Sequence, residues 1–112
     1  MPVIRVSCLP QMSEDRLMKL HKDIETVVLS IKELGLRTNS ITCLFPPDMM
    51  HYGLGEEIII EVTGLFEMPQ RTKAVRQALA EALGKTVNAM FPAARIECFI
   101  TSFNPAQGFW TN

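Results

Sequence analysis

The opening stretch Met1-Pro2-Val3-Ile4-Arg5-Val6-Ser7 has a counterpart later in the chain, and this repetition decides the fold. Its β-branched residues favour a strand. Val3-Ile4-Arg5-Val6-Ser7 overlays Ile59-Ile60-Glu61-Val62-Thr63 at a shift of 56 residues, and Ile41-Thr42-Cys43-Leu44 overlays Ile96-Glu97-Cys98-Phe99 at a shift of 55. Two cysteines coincide under this overlay. The sequence therefore predicts a single domain made of pseudo-repeats, over about residues 1–55 and 56–112.

Each half carries the signals of a β-α-β unit. Ser13 is a good helix N-cap, Pro69 suits a first helical turn, and Gly64 is expected to close a strand. Strands are predicted over 2–7, 40–45, 57–63 and 95–101, and helices over 13–34 and 69–89. Each helix is long enough for a right-handed crossover between parallel strands. We therefore expect an α+β fold, with one four-stranded mixed sheet and both helices on one of its faces.

The other face of this sheet is predicted to lie uncovered in a single chain. Ile58-Ile59-Ile60 places apolar residues on both faces of its strand. An exposed apolar sheet face is typical of an interaction surface, so we expect it to pack against other copies of the chain. A pseudo-twofold axis between the halves also predicts a cross-strand ion pair between Arg5 and Glu61.

Composition excludes several classes of function. The chain has 112 residues, of which 47% are hydrophobic, and a net charge of −1, so it offers no basic field for nucleic acid. It has no run of about 20 apolar residues that would span a membrane and no leader segment, so a cytoplasmic protein is expected. Its three cysteines lack C-x-x-C spacing, so we expect neither a disulfide framework nor a zinc site. No metal and no cofactor are expected.

Pro2 is the candidate catalytic residue. If Met1 is removed, Pro2 becomes the N-terminus and carries a secondary amine. An α-amine has an ordinary pKa of about 7.7–8.0, and burial disfavours its charged form. Modest burial would therefore make this amine a base near neutral pH.

The whole pattern resembles the tautomerase superfamily, which includes 4-oxalocrotonate tautomerase and macrophage migration inhibitory factor. The matching features are Pro2, the duplicated β-α-β unit, the glycine-rich segment His51-Tyr52-Gly53-Leu54-Gly55, predicted as a tight turn or small hairpin, and the aromatic tail Asn104 to Trp110. The resemblance covers nearly the whole chain. It implies a terminal proline acting as general base or acid on a small molecule, a homotrimer, and active sites between subunits.

Carried over residue by residue, the resemblance places Pro2 on the catalytic proline. It places Tyr52 on an aromatic residue of the pocket wall and Trp110 on the tail tryptophan of the inhibitory factor's pocket. Met12 and Thr42 stand where short tautomerases have the two arginines that hold a dicarboxylate. The usual dicarboxylate substrate is therefore not expected.

Other polar residues are the remaining candidates for substrate binding. Arg37 lies close to the family's lysine position, and Arg95 is a second possible anion ligand. Glu97 and Phe99 occupy the positions of the polar pair on the inhibitory factor's last strand. The candidate substrate-binding residues are therefore Arg37, Tyr52, Arg95, Glu97 and Trp110.

Three functions remain open at this point. The first is a keto–enol isomerase that uses Pro2 as general base and acid on a small carbonyl or carboxylate substrate. The second is a hydratase or dehalogenase-like enzyme, with protonated Pro2 as the acid and Glu97 preparing water. The third is a trimeric binding protein that kept the fold without the chemistry.

Overall fold

Six principal elements follow one another as two β-α-β units. The computed structural model describes residues 1–54 and 56–112. Two short 3₁₀ helices, Lys32–Leu34 and Thr38–Ser40, connect the first helix to the second strand. The strands and helices, in chain order, are β1 (Val3–Ser7), α1 (Glu14–Ser30), β2 (Thr42–Leu44), β3 (Glu57–Phe66), α2 (Lys73–Met90) and β4 (Arg95–Phe103).

The strands form one mixed sheet in the order β2-β1-β3-β4. β1 runs parallel to β2, β3 runs parallel to β4, and the two central strands are antiparallel. Alternate strand residues are buried in one core with the inner faces of α1 and α2. The core includes Ile4, Val6, Leu20, Ile24, Val28, Ile58, Ile60, Val62, Leu79, Leu83 and Val87. The predicted four-stranded mixed sheet with two helices is confirmed.

The register of the sheet reproduces the sequence overlay. Ile4 pairs with Cys43 in the first half, and Ile60 pairs with Cys98 in the second. The five residue pairs between β1 and β3 are centred on Arg5 and Glu61. A pseudo-twofold axis therefore passes between these two residues, as the repeat predicts.

The prediction of an ion pair between Arg5 and Glu61 at this axis is wrong. Although Arg5 and Glu61 are register partners, Arg5 Nη1 donates to Thr63 Oγ1 at 3.0 Å. Thr63 lies two residues from Glu61 on the same face of β3, where the long arginine side chain reaches it diagonally. The hydroxyl therefore replaces the carboxylate as the acceptor.

Both helices begin at side-chain caps. Ser13 Oγ accepts the N–H of Arg16 at 3.3 Å, as the sequence predicts, and Thr72 Oγ1 accepts the N–H of Val75 at 3.3 Å. The prediction that Pro69 lies in the first turn of the second helix is wrong, because α2 starts at Lys73.

Neither helix, nor any other in the described part of the chain, combines the length and hydropathy needed to cross a membrane.

Gly64 does not close its strand, contrary to the sequence prediction. β3 continues to Phe66, and its pairing with β4 shifts register between Val62 and Leu65. Gly64 has φ of 71°, a left-handed conformation that disfavours residues with a Cβ. It therefore forms a bulge inside β3, and β4 extends to Phe103 alongside the continued strand.

Candidate functional site

Pro2 is buried at the start of β1, whereas Met1 is 61% exposed. The Pro2 carbonyl accepts the N–H of Thr42 at 3.1 Å, which ties this end of β1 to the start of β2. With Met1 attached, the Pro2 nitrogen belongs to a peptide bond and is not basic. Removal of Met1 would convert this nitrogen into a secondary amine, and strand pairing already sets its position.

The bulge at Gly64 makes room for the first two residues. A Cβ on Gly64 would lie 3.1 Å from the Met1 carbonyl oxygen and 3.8 Å from Pro2 Cα. A side chain at this position would therefore crowd the N-terminus as well as strain the backbone. This function of Gly64 was missed in the sequence, where a glycine after a strand predicts only a strand end.

Arg37 lies in the loop that leads to Thr42, so it belongs to the same edge of the sheet as Pro2. Its N–H donates to Ser40 Oγ at 2.8 Å, and its carbonyl accepts from the same hydroxyl at 2.7 Å. Its side chain is exposed and takes part in no ion pair among residues 1–54 and 56–112. Arg37 is thus a free cation near the start of β1.

Arg71 holds this loop against the end of β3. Its Nε and Nη2 donate to the Leu34 carbonyl at 3.0 and 2.7 Å, and its Nη1 donates to the Phe66 carbonyl at 2.8 Å. Burial lowers the pKa of its guanidinium. No sequence signal singles out Arg71, because an arginine shortly before a helix has no signature that separates it from surface charge.

Tyr52 lies in a turn at the opposite end of β1. The Asp48 carboxylate accepts the N–H groups of Tyr52, Gly53 and Leu54 at 3.0, 2.7 and 3.2 Å. These hydrogen bonds, that of Gly53 first, hold the pKa of Asp48 below its ordinary value. The tyrosine itself is 82% exposed. Residues 51–54 thus form a turn, as predicted, and Gly55 of the same motif lies outside the described residues.

Close packing fixes the position of this turn. A Cβ on Gly53 would collide with the side chain of Cys8 and with the Glu57 carbonyl. Cys8 follows β1 directly, so Tyr52 belongs to the edge where β1 ends. Six residues of extended chain separate this edge from Pro2, a distance of roughly 20 Å.

Arg95 and Glu97 lie at this far edge as well. Arg95 pairs with Glu57 and Glu97 pairs with Ile59, which in turn pairs with Ser7 at the end of β1. The Arg95 Nη2 is 3.6 Å from Glu97 Oε1, and the arginine side chain is 73% exposed. Such an exposed pair contributes little stability, so both groups are available for other contacts.

Trp110 returns the tail to the Pro2 edge. Phe109 packs edge-on against Phe66, with ring centroids 4.9 Å apart, and Phe66 is three residues beyond the partner of Val3 on β3. Asn104 Oδ1 accepts the N–H of Ala106 at 3.0 Å and shapes the preceding turn. Because Phe109 holds the tail here, Trp110 projects outward and is 84% exposed.

The six candidate residues therefore divide into two groups. Pro2, Arg37 and Trp110 lie at one edge of the sheet, and Tyr52, Arg95 and Glu97 lie at the other. Since the edges are roughly 20 Å apart, the two groups do not meet within one chain. Met12, one of the two positions without an arginine, lines a groove at the far edge, whereas Thr42 contacts Pro2 directly.

The three cysteine thiols are not activated as thiolates. Burial raises the pKa of Cys43 to about 12 and that of Cys98 to about 11, which keeps both thiols protonated at neutral pH. Burial, with smaller effects of Asp48 and Glu57, also raises the pKa of Cys8. Across the described ranges, 1–54 and 56–112, the structure brings together no group of three metal-ligating side chains.

No protein-family model matches the chain, and no curated protein matches it in sequence. Solved structures do match its fold. A fused 4-OT, described as a wild-type symmetric trimer, aligns at a TM-score of 0.71 and 16% identity, over 98% of this chain and 92% of that one. Pt0534, inactivated by 2-oxo-3-pentynoate, aligns at 0.71 and 18% identity, over 95% and 89%. Macrophage migration inhibitory factor of Toxoplasma gondii aligns at 0.68 and 17% identity, over 96% and 95%.

These likenesses extend along nearly the whole chain and include both a fused 4-OT and a migration inhibitory factor. At 16 and 17% identity they establish the fold and leave the activity open. The duplicated β-α-β units, the mixed sheet and the paired helices are those of the matched structures. This chain therefore has the tautomerase fold of the matched structures, and the fold that the sequence resemblance implies is confirmed.

Proposed function

We propose that this protein is a keto–enol tautomerase in which the amine of Pro2, freed by removal of Met1, carries the proton. The observation that carries the proposal is the burial of Pro2 at the start of β1, beside the bulge that only a glycine fits well. Burial disfavours the ammonium form and lowers the pKa of an amine. The position thus suits a base that works near neutral pH.

A keto–enol tautomerisation moves one proton within the substrate and leaves its atomic composition unchanged. A single proton carrier is therefore sufficient. The unprotonated amine accepts the proton of the enol hydroxyl and leaves an enolate, whose carbonyl forms when the α-carbon is protonated. The protonated amine then returns that proton to the α-carbon, and the base is regenerated. A positioned proton carrier of this kind is worth about 10²–10⁴-fold in rate.

A homotrimer with sites between subunits is part of the proposal. The sheet face away from the helices exposes Leu44 and Phe99, which are 43% and 54% exposed. A cyclic assembly joins different surfaces of neighbouring subunits, and we propose that the Pro2 edge of one copy meets the far edge of the next. In this arrangement the candidate residues of the Pro2 edge lie beside those of the far edge, although the two groups do not meet within one chain. The fused 4-OT that shares the fold is described as a symmetric trimer.

Arg37 is the proposed ligand for a substrate carboxylate. It is an exposed cation on the loop leading to Thr42, and it has no carboxylate partner in the described part of the chain. Tyr52 and Trp110, both exposed in the single chain, supply aromatic walls from the two edges. A single arginine in place of two favours a monocarboxylate, such as the enol of an arylpyruvate, over a dicarboxylate.

The test compares ketonisation rates of phenylpyruvate enol by protein whose Met1 removal has been verified by mass. Pro2→Ala replaces the secondary N-terminal amine with a primary amine, and this variant should lose most of the ketonisation rate. Pro92→Ala, at an exposed proline between α2 and β4, is the matched control and should keep the rate. Arg37→Ala should mainly raise KM.

A binding protein without catalysis is the second candidate, and Met12 and Thr42 favour it because neither can hold a carboxylate as an arginine does. Equal rates for the processed protein and Pro2→Ala would support this candidate and exclude the tautomerase. Addition of water or release of halide that depends on both Pro2 and Glu97 would instead support the hydratase or dehalogenase-like reaction.

A further inference from the structure

A groove opens at the far edge of the sheet, between the segment 9–12 and the loop 45–54. We call it the loop groove. Its volume is about 460 Å³, and its apolar walls include Leu9, Met12, Phe45, Met49 and Leu54. Ligand pockets usually measure about 300–1,000 Å³, so a compound the size of a substituted benzene ring fits this space.

The backbone around the loop groove is held in an uncommon conformation. His51 and Leu54 line the groove and have φ of 58° and 47°, and Cys8, which precedes the lining residue Leu9, has φ of 69°. Left-handed backbone costs about 1–3 kcal/mol at a residue other than glycine and clusters at binding sites. The hydrogen bonds from three consecutive N–H groups to Asp48 hold the turn in this form.

The charges around the loop groove select against anions. Asp48 supplies a carboxylate to its wall, because hydrogen bonds hold the pKa of its carboxyl low, and His51 is the other titratable side chain there. Among the described residues that line the groove there is no lysine or arginine. The N-terminus of α1, which lies beside Met12, already carries Glu14 and Asp15 in its first turn, so its favourable field for anions is offset.

We propose that the loop groove binds the uncharged aromatic part of a small carbonyl compound and rejects a carboxylate. Binding itself needs no Pro2 amine, whereas the assignment of this ligand as substrate rests on the proposed function. In the proposed trimer the far edge of one copy meets the Pro2 edge of the next, which would place the apolar part of the substrate in the groove and its reacting carbon near Pro2.

The test measures binding of two fluorinated probes of similar shape by ¹⁹F NMR on the processed oligomer of the Arg37→Ala variant, so that the proposed carboxylate ligand of the neighbouring edge cannot hold the anionic probe. The neutral probe is 4-fluoroacetophenone and the anionic probe is 4-fluorobenzoate. The neutral probe should bind at least about tenfold more tightly, which corresponds to about 1.4 kcal/mol. Met12→Arg should reverse this preference, while the control Met18→Arg, at an exposed position of α1 outside the groove, should leave it unchanged.

A second variant keeps the test valid if Met12→Arg does not fold. Leu54→Asn preserves the left-handed backbone, which asparagine tolerates, and removes apolar surface, so it should weaken binding of the neutral probe. Equal affinity for both probes, or no binding because a neighbouring subunit fills the groove, would overturn the proposal. Binding without any turnover refutes the tautomerase alone, and turnover insensitive to both variants refutes the groove as the substrate site.

Discussion

Cys8 and Gly64 stand 56 residues apart, the shift that relates the two halves, and they share the same backbone bend, with φ of 69° and 71°. The chain continues differently after each bend. After Gly64 the strand resumes to Phe66, because β4 runs alongside it as far as Phe103. After Cys8 the chain leaves the sheet, because β2 ends at Leu44 and offers no further partner.

This difference shows how a duplicated fold acquires unlike ends. The early end of β2 leaves room for the loop 45–54, which builds the groove and the turn of Tyr52. At the start of the strands, Pro2 corresponds to Ile58, which is fully buried within β3 and has no free amine. The two halves therefore share a backbone, while the proposed proton carrier exists only in the first.

The largest expected effect tests whether the two halves contribute equally to the core. Ile4 and Ile60 are equivalent positions, 1% and 0% exposed. Ile4→Ala and Ile60→Ala should each lower the free energy of unfolding by about 2–5 kcal/mol, through lost burial and the cavity left behind. Urea denaturation at one fixed protein concentration measures both. A loss confined to one variant would show that the halves are not energetically equivalent.

An intermediate effect is expected at the two bends. Gly64→Ala places a Cβ on left-handed backbone and near the N-terminus, so it should cost about 1–2 kcal/mol. Cys8→Gly relieves the same strain but loses a half-buried side chain and adds flexibility, so its stability should stay within about 1 kcal/mol of the parent protein. The same denaturation measurements apply, and a stabilising Gly64→Ala would contradict the interpretation of the bulge.

The smallest effect is local and concerns the turn that only the first half contains. Asp48→Asn should speed amide hydrogen exchange at Tyr52, Gly53 and Leu54, because the ionised acceptor of their hydrogen bonds is lost. The pKa of Asp48 is lower in the folded chain, so its contribution is present above the ordinary carboxyl pKa and is lost as pH falls through the lowered value. Unchanged exchange in Asp48→Asn would show that the turn does not depend on this carboxylate.

The sequence predicted the fold well because the repeat constrains strand pairing. The overlay of Val3–Ser7 on 59–63 led to the register, the pseudo-twofold axis and the equivalence of Cys43 and Cys98. Element ends were less predictable. Whether a glycine ends a strand or forms a bulge depends on its neighbour, and Gly64 lies beside a strand that continues.

The candidate site could be predicted only in part. Periodicity and resemblance select Pro2, Tyr52 and Trp110, but they do not reveal that one chain holds these residues at opposite edges. The loop groove was missed because it depends on the left-handed backbone at His51 and Leu54, and neither residue type signals that conformation. Arg71 was missed because its partners are carbonyl groups, which carry no sequence signal.

The central claim is that Pro2 is a desolvated base, and the most direct measurement is the pKa of its nitrogen. A ¹⁵N NMR titration of the processed oligomer, labelled with ¹⁵N-proline, isolates this group, because the other six of the seven prolines form peptide bonds and do not titrate. Burial predicts a pKa below the ordinary α-amine range of about 7.7–8.0. A pKa within or above that range would contradict the claim.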